Sequence, residues 1–148
     1  MSDQSVVKSS GLASPAESAA YLAEKLRFYT DVADLVSDLY AQHPEIIALD
    51  TRSSETYERG HIPGAISFPH RLMSEASTAQ LDRNKVYVCY CDGIGCNGST
   101  WGSYKLASLG FTVKELIGGL DFWQRDGHPI AIGKEAGTLV GGKIECDC

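Results

Sequence analysis

Two short runs of apolar residues, each followed directly by a polar or glycine-rich loop, constrain the fold of this chain most. Residues 46–49 precede the polar loop 50–54, and residues 86–90 precede a turn with three glycines in residues 92–98. Continuous apolar strands of this kind are typical of a parallel sheet that is covered on both faces. Ligands and catalytic groups gather at the carboxyl ends of such strands, so the two loops are the first candidates for a site.

Helical patterns alternate with these strands. Ser14, Pro15 and Glu17 form a capping box that predicts a helix start. Apolar residues at helical spacing in residues 32–39 predict a second amphipathic helix that ends before Pro44, and whether the two are one bent helix stays open. Further helices are predicted at 55–59, after the glycine turn, and after Gly118, with short strands at 66–68 and from residue 111. The pattern predicts an α/β domain in three layers, with a central, mainly parallel sheet flanked by helices.

The chain of 148 residues has the length of one domain. We expect a flexible N-terminus over residues 1–13 and the folded domain, with an N-terminal helical extension, over residues 14–130. Residues 131–148 contain four glycines and are expected to form a loosely attached tail with two cysteines. His61, Phe122 and Trp123 are interpreted as structural residues, with His61 buried and hydrogen-bonded.

Composition excludes several classes of function. A net charge of −6 with no Lys/Arg run argues against binding to nucleic acid or to an anionic membrane. No apolar stretch is long enough to span a bilayer, and the first residues lack the apolar core of a signal peptide, so a cytoplasmic location is expected. An acidic domain of this kind is expected to be a monomer or a weak homodimer. Five cysteines in two clusters do not fit the disulfide framework of a secreted protein and indicate metal binding or thiol chemistry.

Cys91 is the main candidate for a reactive residue. It follows a buried strand and precedes a glycine-rich turn and a helix, so backbone amides and the helix N-terminus are expected to surround it with positive partial charge. A thiol in such surroundings has a lowered pKa and reacts as a thiolate. The alternative is that Cys91 is a small apolar residue at a strand end, as buried cysteines often are.

Two sets of motifs resemble the signatures of the rhodanese family, over about residues 30–130. The first set surrounds Asp50 and Arg52 and reads LDTRS, then Glu55 and Tyr57, then GHIPGA. The second set begins at Tyr90-Cys91 and continues with LASLGF, VKELIGGLDFW and GHP. No single motif decides the family, but their order and spacing together indicate it.

The resemblance implies a rhodanese-like domain that acts as a sulfurtransferase. Cys91 would take sulfane sulfur from thiosulfate or a persulfide donor, hold it as a persulfide and pass it to a thiol or cyanide. The donor could be a small molecule or a protein, and neither a metal nor an organic cofactor is implied. The active-site loop would consist of the residues that follow the nucleophile: Asp92, Gly93, Ile94, Gly95, Cys96, Asn97 and Gly98.

The loop departs from the family pattern in two ways. It is longer than the usual turn, and it carries Asp92 but no arginine or lysine, so thiosulfate is expected to be repelled and a persulfide donor favoured. Asp50 and Arg52 are interpreted as a pair that positions the loop, with Glu55 as a third member, while Arg52 is also the nearest candidate to contact a donor anion.

The other cysteines leave alternatives open. Cys96 could resolve the intermediate as a second thiol, accept sulfur or be the nucleophile itself; Cys91 is preferred because the family places its nucleophile at the strand end. Cys89 is predicted to be core, and the pair Cys146 and Cys148 either has a thiol or metal role or has none, with a zinc site not expected.

Two other functions were weighed against sulfur transfer. The main one is a non-catalytic binding or redox-sensing module that cycles a Cys91–Cys96 disulfide. A phosphatase is disfavoured because Asn97 stands where the phosphate-binding arginine would be needed.

Overall fold

The computed structural model describes residues 3–139 and contains a five-stranded parallel sheet. The strands are β1 (Tyr29–Thr30), β2 (Ile46–Asp50), β3 (Ile66–Ser67), β4 (Val86–Tyr90) and β5 (Thr112–Leu116). Their spatial order is β1-β5-β4-β2-β3, and every neighbouring pair is parallel. The predicted α/β class with a mainly parallel sheet is therefore confirmed.

Five α-helices accompany the sheet: α1 (Pro15–Phe28), α2 (Val32–Tyr40), α3 (Ser54–Arg59), α4 (Gly98–Ser108) and α5 (Gly119–Arg125). Single 3-10 turns lie at Val7–Ser10 and His70–Leu72. The predicted capping box is present, since Ser14 Oγ accepts from the Glu17 amide and the Glu17 carboxylate accepts from the Ser14 amide. The first two helices are separate, because β1 lies between them.

Each face of the sheet carries its own core, which gives the predicted three layers. On one face Ala48 and Val88 belong to a cluster that includes residues of α2 and α5. On the other face Leu49 and Cys89 pack with Leu106 of α4. Because successive side chains of a strand point to opposite faces of the sheet, neighbouring residues belong to different clusters. Trp123 is fully buried and donates through Nε1 to the carbonyl of Pro129 at 2.8 Å, as expected of a structural residue.

The strand register brings three loops to one edge of the sheet. Asp50 at the end of β2 lies beside Tyr90 of β4 and beside Ser67 of β3. Just beyond, the amide and the hydroxyl of Thr51 both donate to the Tyr90 carbonyl, at 3.0 and 2.8 Å. The chain segments after β2, β3 and β4 therefore leave the sheet side by side.

The expectation that the chain is loosely attached from Ala131 onward is wrong for residues 131–139. Ala131 and His61 exchange two backbone hydrogen bonds of 2.9 Å, and the Gly64 amide donates to Ala136 at 2.8 Å. Leu139 is 7% exposed and belongs to the core. His61 is buried between these segments, with Nδ1 2.8 Å from the carbonyl of Tyr57, which confirms its predicted structural role.

Cys146 and Cys148 lie outside the described residues. Within residues 3–139, no helix combines the length and the apolar character that a bilayer crossing requires.

Candidate active site

Cys91 is the first residue after β4 and is only 4% exposed. Its carbonyl accepts from the Leu120 amide at 2.9 Å, and the next carbonyl, of Asp92, accepts from Asp121 at 2.7 Å. The start of α5 can approach this closely because Gly119 has a φ of 55° and a side chain there would collide with the Cys91 carbonyl. The backbone on the strand side of the loop is therefore held in place.

Cys91 and Cys96 form a disulfide, with their Cα atoms 6.2 Å apart. The Cys96 amide donates to the Gly93 carbonyl at 3.1 Å, which closes the turn between the two cysteines. A Cβ atom on Gly98 would lie 3.1 Å from Cys91 Sγ and 3.4 Å from Cys96 Sγ. Glycine at this position therefore lets the first residue of α4 pack directly against both sulfurs.

The N-terminus of α4 faces the same sulfurs. Asn97 precedes the helix, and its side chain does not cap it. The first amides of a helix have no acceptor within the helix, and together they place partial positive charge at its end. The structure thus places this end of α4 beside Cys91 Sγ, and the stabilisation of a Cys91 thiolate by it stays a prediction.

Two of the cavities that border the loop are also lined by Asn97, directly before α4. One, of about 420 Å³, lies in front of Cys91 and is also lined by Arg52, His70 and Arg71. The other, of about 430 Å³, lies between the loop and the N-terminal helix and is lined by Cys96 and Tyr21. Cys96 is half-buried and borders both, whereas Cys91 borders the first of the two. Both thiols of the reduced site are thus reached from the first cavity, and Cys96 is also reached from the second.

Arg52 is engaged by two carboxylates and does not point freely into the first cavity. Its Nε and Nη2 donate to Asp50 at 2.9 and 2.6 Å, Nη1 donates to Asp92 at 2.8 Å, and Nη2 also donates to the Gly60 carbonyl at 2.7 Å. Burial alone would lower the pKa of Arg52, but the hydrogen bonds and charge of Asp50 and the hydrogen bond of Asp92 raise it above its ordinary value. Arg52 holds the loops after β2 and β4 together.

This network corrects two details of the sequence analysis. Glu55 is exposed and is not the third member of the Arg52 network; that place belongs to Asp92. Asp92 was expected to repel an anionic donor, but its carboxylate is bound to the Arg52 guanidinium, which offsets much of that repulsion.

His70 and Arg71 are site residues that the sequence analysis missed. They directly follow β3 and Pro69, at the same edge of the sheet as Cys91, and the position of that strand was the signal that could have found them. The pKa of His70 is lowered by burial and by the positive charges of Lys105 and Arg71. Arg71 is exposed, so this wall of the cavity is attractive to an anion.

Cys89 has no access to this site. It is fully buried, and burial raises the pKa of its thiol to about 12, so its predicted place in the core is confirmed. Within residues 3–139, His, Cys, Asp and Glu side chains form no group arranged to hold a metal ion.

The fold and the site define a three-layer α/β domain with a pair of cysteines at the carboxyl edge of a parallel sheet. The model of the rhodanese-like domain family matches residues 31–126. The chain therefore belongs to the rhodanese-like domain family, as the motifs around Arg52 and Cys91 predicted.

Individual relatives agree with this assignment. The chain is 32% identical over 93 residues to an HTH-type transcriptional regulator of Mycobacterium tuberculosis, covering 63% of this chain and 41% of the regulator. It is 35% identical over 75 residues to the thiosulfate sulfurtransferase PspE of Escherichia coli, covering 49% of this chain and 68% of PspE. The crystal structure of the BH2092 protein of Bacillus halodurans matches with a TM-score of 0.78 at 37% identity, over 88% of this chain and 96% of that one. Of the regulator's own length, the chain spans less than half.

Proposed function

We propose that this domain is a sulfurtransferase that carries sulfane sulfur on Cys91, from thiosulfate or a persulfide donor to a thiol or cyanide acceptor. The observation that carries the proposal is the position of Cys91, at the end of β4, against the N-terminus of α4 and at the wall of a cavity with Arg71. Membership in a family that includes sulfurtransferases and the similarity to PspE support it.

The reaction follows from these surroundings. The Cys91 thiolate attacks the outer sulfur of thiosulfate, a sulfur–sulfur bond forms, and sulfite leaves with the electron pair of the bond that breaks. The amides at the start of α4 stabilise the negative charge of the resulting persulfide, and the acceptor thiolate or cyanide then removes the outer sulfur. Arg71 and the positive side of the first cavity draw an anionic donor toward Cys91. The site supplies nucleophile and electrostatic stabilisation from the chain itself.

The disulfide favours a second candidate, the non-catalytic or redox-sensing module. Because Cys91 is joined to Cys96, the nucleophile is blocked until a reductant opens the bond. A pure redox module would cycle between dithiol and disulfide without binding sulfur.

One experiment separates the two candidates. The protein is reduced with a phosphine, freed of it, mixed with thiosulfate or with glutathione persulfide, and analysed by intact-protein mass spectrometry and peptide mapping. In Cys96→Ser, which cannot close the disulfide, transfer predicts the gain of one sulfur atom on Cys91 and its removal by cyanide as thiocyanate, whereas Cys91→Ser is expected to gain none. Cys89→Ala is the matched control, because it removes a thiol that the site does not use. Re-formation of the disulfide in the wild-type chain, together with no sulfur gain in Cys96→Ser from either donor, would instead assign a redox role.

A further inference from the structure

The second cysteine of the loop is not used by the transfer proposed above. Sulfur transfer through a persulfide needs one thiol, yet the structure joins Cys91 to Cys96, which lies five positions further along the chain. Cys91 is 4% exposed, whereas Cys96 is half-buried and borders the cavities on both sides of the loop. The two sulfurs therefore differ in access although they are bonded to each other.

We infer, on the basis of the proposed function, that Cys96 gives this domain a second activity: it resolves the Cys91 persulfide and releases the outer sulfur as hydrosulfide. The Cys96 sulfur attacks Sγ of Cys91, the bond between Sγ and the outer sulfur breaks, and its electron pair leaves with the outer sulfur. The proton of the Cys96 thiol passes to the departing sulfur. The sulfane sulfur is reduced to sulfide, and the two cysteines are oxidised to the disulfide that the structure contains.

The geometry favours attack on Sγ over attack on the outer sulfur. Sγ of Cys91 is the atom to which Cys96 is bonded in the structure, so the loop needs no other conformation to reach it. Gly98 packs against both sulfurs and has no side chain to separate them. Attack on the outer sulfur would require Cys96 to reach beyond this position, toward the cavity where added sulfur has room.

The same geometry assigns the step that regenerates the site. An external dithiol attacks the more accessible sulfur, Cys96, from the cavity beside Tyr21, and forms a mixed disulfide. The Cys91 thiolate is the leaving group, and the N-terminus of α4 stabilises it. The second thiol of the reductant then displaces Cys96. Over the whole cycle, one sulfane sulfur becomes one hydrosulfide and one dithiol becomes a disulfide.

The test distinguishes the role of Cys96 from that of the other cysteines of the chain. Cys89 is buried among core side chains, and its thiolate is disfavoured. Cys146 and Cys148 lie outside the described residues, so the double variant C146S/C148S is compared directly with the full wild-type chain.

The test is a single turnover of the reduced full-length chain, with oxygen, added thiols and cyanide all excluded. Thiosulfate is added in an amount equal to the protein; sulfite and sulfide are quantified, and the cysteines are mapped after alkylation. The wild-type protein and C146S/C148S are expected to release sulfide in proportion to sulfite and to end with the Cys91–Cys96 disulfide. Cys96→Ser is expected to release sulfite only and to accumulate a cyanide-removable sulfur on Cys91. Cys96→Ala provides the same comparison if the serine variant does not fold.

The outcomes separate this inference from the proposed function. Sulfur that remains on Cys91 of the wild-type chain, or moves to Cys96, without sulfide release would overturn the resolving step and leave transfer intact. Loss of sulfide release in C146S/C148S would also overturn it, because the resolving thiol would lie in that pair. If neither wild type nor Cys96→Ser binds sulfur from thiosulfate or from glutathione persulfide, both the transfer and the resolving step are refuted.

Discussion

Replacement of Asp50 by asparagine tests the ion-pair network beneath the active site. Asp50 is fully buried, and its two carboxylate oxygens accept from the Arg52 side chain at 2.9 and 2.6 Å. In Asp50→Asn the side-chain amide would face the guanidinium donor at 2.6 Å, so one charge-assisted hydrogen bond becomes a contact between two donors, and Arg52 loses its buried counter-charge. Removing one partner of a buried ion pair costs about 3–5 kcal/mol.

The other carboxylate on the same guanidinium should behave differently. The Asp92 side chain is 67% exposed, although its bond to Arg52 measures 2.8 Å. Solvent screening limits an ion pair of this kind to about 0.2–1 kcal/mol, so Asp92→Asn is expected to be mild. Glu55→Gln is the matched control, because it removes an exposed carboxylate at the start of α3 that does not pair with Arg52; it is expected to stay within about 0.5 kcal/mol of wild type.

Urea unfolding followed by far-UV circular dichroism measures these differences. Reducing conditions keep the Cys91–Cys96 bond from contributing to the free energy of unfolding, and equal slopes against urea are required before the midpoints are compared. Against a typical total of about 5–15 kcal/mol, the Asp50→Asn loss would be large. Equal costs for Asp50→Asn and Asp92→Asn, or a cost below about 1 kcal/mol for both, would refute the argument that burial sets the strength of this network.

Three further predictions concern the cavity and the C-terminal segment. In the Cys96→Ser background, where sulfur stays on Cys91, Arg71→Ala should raise severalfold the thiosulfate concentration needed for half-maximal sulfur loading. The effect should shrink as salt is added, and mass spectrometry over a thiosulfate series measures it. The pKa of His70 is lowered in the folded chain, so the unfolded chain binds more protons below the ordinary imidazole pKa of ~6.5. The free energy of unfolding should therefore decrease as the pH is lowered through that range. In urea unfolding at several pH values, the free energy of unfolding of His70→Gln should decrease less at low pH than that of the wild type. Leu139→Ala should lower the free energy of unfolding by about 2–4 kcal/mol, since Leu139 is buried in the core.

Each of these predictions has a contrary result. An equal loss of loading at low and at high salt would mean that Arg71 acts on more than the charge of thiosulfate. If the free energy of unfolding depends on pH in the same way in His70→Gln and in wild type, His70 does not cause the loss of stability at low pH. A Leu139→Ala variant as stable as wild type would mean that the segment 131–139 contributes little to the fold.

The sequence was informative where local pattern and burial coincide. Strands β2 and β4 were predicted because both faces are covered, which leaves uninterrupted apolar runs, and the position of Cys91 followed from the second run. The start of α1 was predicted because Ser14 and Glu17 satisfy backbone amides within a few residues of themselves. These features depend on neighbours in the chain.

The features that were missed depend on partners far along the chain. β1 has two residues, Tyr29 and Thr30, and exists through its pairing with Glu115 and Leu116 of β5, so it has no periodicity to detect. Asp92 reaches Arg52 across 40 positions because β2 and β4 lie in register. The segment from Ala131 is attached to the rest of the domain largely through backbone hydrogen bonds, and its glycine content does not indicate these.

The sheet order has a consequence for how this domain meets other chains. The two edge strands, β1 and β3, have two residues each, while the five-residue strands lie in the interior of the sheet. A long exposed edge strand can pair with a strand of a neighbouring chain, whereas a short one offers few unpaired backbone groups for such pairing. Over the described part of the chain, an incoming strand would find two residues of backbone to pair with at either side. We therefore expect association of this domain with a partner to use side chains of its helices and loops, so that surface chemistry sets its choice of partner.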